Sequence, residues 1–235
     1  MKQSMILLHG LFGGLSNWTE VIAHFETAYD IHIPPLPIYD QHSEDNLAYL
    51  VKYLASYIEA AQLENVILVG NSLGGHVAIL YTYQYPGKVS RLILTGSSGL
   101  YENTSMGSFP RRSNYDYIKD RVANIFYDPA TATDALVAEV FAITTDAQKC
   151  YHIVRMAKSA NRHYVAALLP AIATPVLLIW GEDDRVTPPD VALHFKSLLP
   201  DVSLVMLTAC GHAPMMERPA AFNTALELFL HSAEL

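Results

Sequence analysis

Four short stretches hold the residue types and spacings best suited to chemistry. They are Gly70-Asn71-Ser72-Leu73-Gly74-Gly75, Gly181-Glu182-Asp183-Asp184, Cys210-Gly211-His212-Ala213-Pro214 and His9-Gly10-Leu11-Phe12-Gly13-Gly14. In the first, glycines two before and two after a serine match G-x-S-x-G, a turn sharp enough to hold the hydroxyl clear of a sheet edge. A serine hydroxyl is a weak nucleophile until a neighbouring base removes its proton. His212 suits that task, since an imidazole of pKa about 6.5 takes a proton during attack and returns it to the leaving group. A carboxylate must then orient the imidazole, and Glu182, Asp183 and Asp184 compete for that place at one strand end.

An attacked carbonyl develops negative charge on oxygen, which needs aimed N–H donors. The helix expected from Leu73 offers its first free N–H groups and the positive end of its dipole beside Ser72. The second donor is expected from the glycine-rich loop: Leu11 is the first choice and Phe12 the alternative. Phe12 is also expected to line the substrate pocket. His9, beside a buried strand end, is expected to be structural, and His76, His152 and His163 to lie on helix surfaces or in an inserted segment.

The elements that must carry these groups alternate short apolar runs with longer helical patterns, the signature of a parallel sheet covered on both faces. Strands are expected at Met5–Leu8, Val66–Val69, Arg91–Thr95, Pro175–Trp180 and Val202–Leu207, with an extended run at Tyr29–Leu36 turned aside by Pro34 and Pro35. Helices are expected at Asn17–Ala28, at Ser43–Gln62 with Ser43 as its cap, at Leu73–Tyr85 and Pro188–Leu199, and from Pro219 onward. Between residues 99 and 173 the strand pattern stops, and three helical patterns follow at Tyr115–Phe126, Ala132–Ala142 and Ala147–Ser159. That stretch reads as a helical lid inserted into a core made of residues 1–98 and 174–235.

Composition narrows the partners. The 235 residues are 51 % hydrophobic and 16 % charged, as in a compact domain. A net charge of −8 with no basic run points away from nucleic acid and from an anionic membrane surface. No run approaches the ~20 apolar residues of a membrane helix. No signal peptide is read at the start, so the cytoplasm is the expected compartment. Cys150 and Cys210 fit no metal spacing and read as plain buried thiols.

Taken together, the His9–Gly13 loop, the Gly70–Gly75 elbow, the Gly181…Asp184…Pro188 loop and Gly211-His212 resemble the α/β-hydrolase superfamily over essentially the whole chain. The order Ser, Asp, His along the chain is also the one this fold uses. The resemblance implies a three-layer α/β fold: a mostly parallel sheet of about six strands, helices on both faces and a helical lid. It also selects Asp184, the third residue after the glycine, as the acid. The Gly-Asn-Ser elbow is similar to that of meta-cleavage-product hydrolases, which break carbon–carbon bonds. Those enzymes usually carry a glycine/proline-rich oxyanion loop and a tryptophan after the catalytic histidine, where this chain has Leu11-Phe12 and Ala213.

The resulting expectation is a serine esterase acting on a small-molecule carboxylic ester, with Ser72, Asp184 and His212 as triad. Leu11 and Leu73 form the oxyanion hole, Phe12 and Asn71 contact substrate, and neither metal nor organic cofactor takes part. The alternatives are carbon–carbon hydrolysis of the meta-cleavage type, for which Arg111, Arg112, Arg155 and Arg162 are candidates to grip a substrate carboxylate, and a non-catalytic ligand receptor. The chain is expected to act as a monomer or homodimer.

Overall fold

The apolar runs at 5–8, 66–69 and 176–180 become strands buried on both sides. The computed structural model describes residues 2–13, 18–102 and 111–232. Gly14 in the glycine-rich loop, Asn17 at the expected start of the first helix and residues 103–110 of the insertion lie outside the described residues. Strands β1 (Ser4–Leu8), β2 (Asp30–His32), β3 (Val66–Asn71), β4 (Val89–Thr95), β5 (Val176–Gly181) and β6 (Val202–Leu207) form one sheet in the order β2-β1-β3-β4-β5-β6. Every neighbouring pair is parallel. Alternate residues of one strand feed opposite cores: Ile6, Leu8 and Leu68 pack on one face, Met5, Leu7, Ile67 and Val69 on the other.

The connecting helices are α1 (Thr19–Phe25), α2 (Asn46–Ala60), α3 (Leu73–Gln84), α4 (Tyr115–Ala123), α5 (Asp134–Thr145), α6 (Ala147–Arg162), α7 (Pro189–Leu198), α8 (Pro214–Glu217) and α9 (Pro219–His231). α2 starts later than its composition suggests. Asp45, not Ser43, is its cap, accepting from the Leu47 and Ala48 N–H groups at 3.0 and 3.2 Å. α3 is buried continuously from Leu73 to Thr82, so its stripe of Val77, Leu80 and Tyr81 is only part of an enclosed helix. The extended run at Tyr29–Leu36 pairs only over β2. Beyond it the prolines supply no N–H to continue a ladder.

Helices α4 to α6 lie between β4 and β5 and share the cores of the sheet. Ile118 and Val122 of α4 and Val137 and Val140 of α5 join the cluster on one face. Ile153, Met156 and Ala160 of α6 join the other. The insertion therefore straddles the sheet. A polar clasp adds to this: Ser159 Oγ on α6 donates to Asp45 at 2.8 Å, and His163 Nε2 lies 2.9 Å from the same carboxylate. Both cysteines are free thiols, Cys210 buried and Cys150 half-buried. Among the described residues, no helix is long and apolar enough to cross a membrane.

Candidate active site

The four chemistry-bearing stretches all emerge at the carboxyl ends of parallel strands, the edge where such sheets place their ligands. β3 ends at Asn71 and α3 begins at Leu73, leaving Ser72 to turn the chain alone, with φ 53° and ψ −118°. A non-glycine residue in such a conformation costs on the order of 1–3 kcal/mol and persists only where its surroundings fix it. Here they do. The Ser72 carbonyl accepts from His76 N–H at 3.2 Å, Ser98 N–H at 3.1 Å and Ser98 Oγ at 3.3 Å, while Ser72 N–H donates to Thr95 O at 3.1 Å. The turn also needs Gly74, because a Cβ there would run into the Leu8 carbonyl.

The histidine loop is held from several sides. His212 Nδ1 lies 2.9 Å from Asp184 Oδ2, which leaves Nε2 as the nitrogen available to a nucleophile. Asp184 is buried, whereas Glu182 and Asp183 are exposed, so burial separates the three competing carboxylates. Its second oxygen accepts from Val186 and Thr187 N–H at 2.8 and 2.9 Å, and Thr187 Oγ1 donates to Oδ2 at 2.9 Å. Burial alone would push His212 down. The charge and hydrogen bond of Asp184, with Glu102 and Glu217 behind it, outweigh that and hold it above its ordinary 6.5. His212 N–H donates to Ile125 O at 3.1 Å, so the insertion itself carries part of the loop.

Several residues that position this loop were missed by sequence reasoning. Glu217 accepts from Gly211 N–H at 2.9 Å, Ala213 N–H at 3.3 Å and Tyr127 N–H at 2.7 Å, tying the loop to the insertion. Gly96, just beyond β4, has φ +50°, and a Cβ there would stand 2.8 Å from His212 Nδ1. Its place directly after an apolar strand was the available signal. Glu102 is part-buried, and its charge helps to hold His212 above its ordinary value. Nothing local in its sequence marks it.

Asn71 has a structural task that the expectation of a substrate contact did not foresee. Its Nδ2 donates to Thr95 O and His212 O, both at 3.1 Å, so both amide hydrogens are committed to the scaffold. At the glycine-rich loop, Gly13 N–H donates to Gly10 O at 3.3 Å, which puts Leu11 and Phe12 at the tip of a tight turn. A Cβ on Gly10 would lie 3.2 Å from Ser72 Cβ, so this turn sits beside the nucleophile. Phe12 packs against both cores.

His9 and His76 are held by scaffold hydrogen bonds. His9 Nε2 accepts from Leu36 N–H at 3.1 Å, Nδ1 sits 2.8 Å from Gly10 O, and burial lowers its pKa. His76 is buried within α3 and not on a helix surface, while His152, buried on α6, and His163, half-buried just after it, lie in the insertion. His76 bonds the His163 carbonyl at 2.8 Å through Nε2, and burial pushes it down to about 4. Of the four arginines considered for gripping a substrate carboxylate, Arg112 donates to Thr144 O, Arg155 lies over Tyr151, Arg162 pairs with Asp45, and Arg111 is exposed. Among the described residues no cluster of three or more His, Cys, Asp or Glu could hold a metal ion. A cavity of about 450 Å³ opens between Thr19, Glu20, residues 128–133 and Met215–Met216, and no triad residue lines it.

A model described as "Alpha/beta hydrolase family" matches residues 5–225. A solved structure of MGS-MChE2, an alpha/beta hydrolase enzyme from the metagenome of sediments of the Mar Chica lagoon, Morocco, is 38 % identical. It aligns with TM-score 0.81 over 100 % of this chain and 93 % of that one. A curated relative from Cupriavidus pinatubonensis, named 2-hydroxy-6-oxononadienedioate/2-hydroxy-6-oxononatrienedioate hydrolase, is 26 % identical over 97 % of this chain and 86 % of its own. The meta-cleavage product hydrolase CumD of Pseudomonas fluorescens shares the fold at 20 % identity, with TM-score 0.85 over 98 % of this chain and 91 % of that one.

Proposed function

The chain belongs to the alpha/beta hydrolase family, and on that premise we propose that it hydrolyses a bond to a carbonyl carbon through an acyl-enzyme on Ser72. The observation that carries this reading is the buried His212–Asp184 pair, tied to the strained serine turn through Asn71. His212 takes the Ser72 proton, Ser72 Oγ adds to the carbonyl, and the Leu11 and Leu73 amides hold the resulting oxyanion. The protonated imidazole then passes its proton to the leaving group. Water, activated in turn by His212, releases the acid and restores Ser72. Each oxyanion donor is worth a factor of about 10²–10³ in turnover. Residues 99–173 serve as the lid of a core formed by 1–98 and 174–235, and Phe12 borders the acyl pocket.

Two bonds suit this machinery, and different observations favour them. The names of curated relatives support carbon–carbon hydrolysis of oxo-dienoates. The electrostatics of the site favour a neutral carboxylic ester. Of the four arginines that could grip a substrate carboxylate, Arg112, Arg155 and Arg162 are engaged by Thr144 O, Tyr151 and Asp45. An ester of a small carboxylic acid is therefore our reading of the substrate, with the dienoate as its rival. Initial rates of wild type and Ser72→Ala on p-nitrophenyl butyrate and on a 2-hydroxy-6-oxo-dienoate decide between them. Serine-dependent turnover of the ester alone supports the ester reading. Efficient dienoate cleavage reverses the ranking, and a Ser72→Ala enzyme as active as wild type on both removes the acyl-enzyme.

A further inference from the structure

Thr187 is not a triad residue, yet its hydroxyl touches two of the three. A carboxylate offers about four lone-pair positions, and the structure gives Asp184 a partner for each. Oδ1 accepts from the Val186 and Thr187 N–H groups at 2.8 and 2.9 Å. Oδ2 accepts from Thr187 Oγ1 and meets His212 Nδ1, both at 2.9 Å. Thr187 Oγ1 also stands 3.4 Å from His212 Nδ1, so the three atoms close a triangle. The backbone of Thr187 holds the hydroxyl in place from both sides. Its N–H is committed to Asp184 Oδ1, and its carbonyl accepts from the buried Trp180 indole N–H at 2.8 Å. Thr187 and the Asp184 side chain are both fully buried, so bulk water does not reach Oδ2.

We propose that Thr187 is a positioning residue, whose hydroxyl fixes the plane of the Asp184 carboxylate and shares the charge of Oδ2 with His212. The inference rests on the Ser72 acyl-enzyme reading and names the group that sets the strength of its base. The first effect is geometric. The bond from Cβ to a carboxylate turns in a broad, shallow well, so a carboxylate anchored through Oδ1 alone is free to swing Oδ2. The Thr187 hydroxyl removes that freedom, and a misplacement of about 1 Å at a catalytic group can cost about a hundredfold in rate. The second effect is electrostatic. An oxygen that accepts two hydrogen bonds divides its charge between them, so Thr187 moderates the pull of Asp184 on the imidazolium. Without the hydroxyl, His212 is the sole donor to Oδ2 and takes the whole of that pull. Glu217 on α8 and Glu102 beyond β4 also raise His212, and both stay as they are when residue 187 is changed. His212, already held above 6.5, therefore rises further once the hydroxyl is lost.

The test compares Thr187→Val, which keeps the branched shape without the hydroxyl, with Thr187→Ser, which keeps the hydroxyl without the methyl. Rates are measured from pH 5 to 9 on whichever of p-nitrophenyl butyrate and the oxo-dienoate the wild type turns over. Thr187→Val is expected to lower kcat about tenfold and leave KM within about twofold. Its acid limb in kcat/KM is expected to rise by about half a pH unit, a threefold change in proton affinity. Thr187→Ser is expected to keep the wild-type limb and lose less than about threefold in kcat. A residue serving only to fill space gives the reverse order, with valine active and serine impaired. Thr187→Cys, whose thiol is a weak donor, is expected to fall between the two and serves should the valine variant fold poorly. The titration of His212, followed by NMR through its Cε1–H resonance, reports the same shift without substrate. A valine variant whose limb and NMR titration stay at the wild-type pH overturns the proposal, as does a serine variant that shifts as far as valine. Those failures leave Ser72-dependent turnover intact. Turnover that survives Ser72→Ala instead removes the acyl-enzyme reading, while the NMR titration still decides whether Thr187 moderates the Asp184–His212 pair.

Discussion

Replacing Asp184 by asparagine tests the triad most directly, because the hydrogen bonds around it dictate which way the new amide must face. Asp184 Oδ1 accepts two backbone N–H groups, from Val186 and Thr187. An asparagine must keep its carbonyl oxygen there, since the reverse orientation would set an NH₂ against two donors. Its NH₂ is then forced toward His212 Nδ1, 2.9 Å away in the wild type. Nδ1 becomes an acceptor, the imidazole proton moves to Nε2, and Nε2 loses the lone pair that would take the proton of Ser72. Thr187 Oγ1 rotates to accept in place of donating, so the variant keeps its packing. Inverting the tautomer in this way lowers turnover by about 10⁴-fold, equivalent to about 5 kcal/mol in the barrier.

The pH behaviour supplies a second readout with a definite sign. His212 is held above 6.5 chiefly by Asp184 against the effect of burial, so wild-type kcat/KM rises with pH through a limb above 6.5. In Asp184→Asn the limb moves to lower pH while the plateau falls. Stability follows the same linkage. A histidine whose folded pKa is raised contributes stability that is fully present below its unfolded value and lost as pH climbs through the folded one. Wild-type Tm is therefore expected to carry a downward component above about pH 6.5 that the variant lacks. Initial rates from pH 5 to 9 and thermal melts at the two ends measure both. Retention of more than about a tenth of wild-type kcat with an unmoved limb would refute the assignment of the acid. Asp183→Asn and Glu182→Gln, both at exposed positions, are expected to change kcat by less than about threefold.

Three other perturbations probe the supports of the site. Gly96→Ala puts a Cβ 2.8 Å from His212 Nδ1 at φ +50°, and is expected to reduce kcat by about a hundredfold through displacement of the imidazole, measured on the same ester. Glu217→Ala strands the N–H groups of Tyr127, Gly211 and Ala213, and is expected to cost about 3 kcal/mol in urea unfolding along with part of kcat. Asp45→Ala removes the cap of α2 and the clasp to Ser159 and His163 together, for about 1–2 kcal/mol at pH 7. Partial burial raises the Asp45 carboxyl, but hydrogen bonds from Ser159 and Ala48 and the nearby His163 hold it below its ordinary 3.8. Its contribution is thus present above pH 3.8 and lost as pH falls through the lower folded value, so wild type and variant converge in acid.

What could be read from the sequence was what neighbours along the chain decide. The apolar runs at Val66–Asn71 and Val176–Gly181 are legible because a strand covered on both faces has no polar side to interrupt it. The serine turn is legible because its sterics demand glycine at fixed offsets, Gly70 and Gly74. Asp184 needed the resemblance to stand out from Glu182 and Asp183, and burial gives the same preference a physical cause. Partners brought together from far apart were not legible. Glu217 and Tyr127 are 90 residues apart, and Ser159 reaches Asp45 across 114. Ser43 was the better cap by residue preference alone, but the clasp to α6 rewards Asp45 with partners a local pattern does not contain. His76 was missed for a similar reason: an enclosed helix has no outer face on which to place a polar residue.

The elbow sequence illustrates how a motif can describe scaffold more than substrate. Gly-Asn-Ser is the feature that first aligned this chain with carbon–carbon hydrolases, yet the Asn71 amide spends both hydrogens on the Thr95 and His212 carbonyls. That task joins the nucleophile strand to the histidine loop and is indifferent to which bond is cut. The two candidate reactions differ elsewhere, in charge. An oxo-dienoate brings a carboxylate that must be matched by a cation or kept in water, whereas a small neutral ester brings none. At this site the buried charge is that of Asp184, paired with His212. Whichever reaction the chain performs, its substrate must come to terms with that balance. Comparing a neutral ester with an oxo-dienoate therefore tells more about the substrate than the serine motif does.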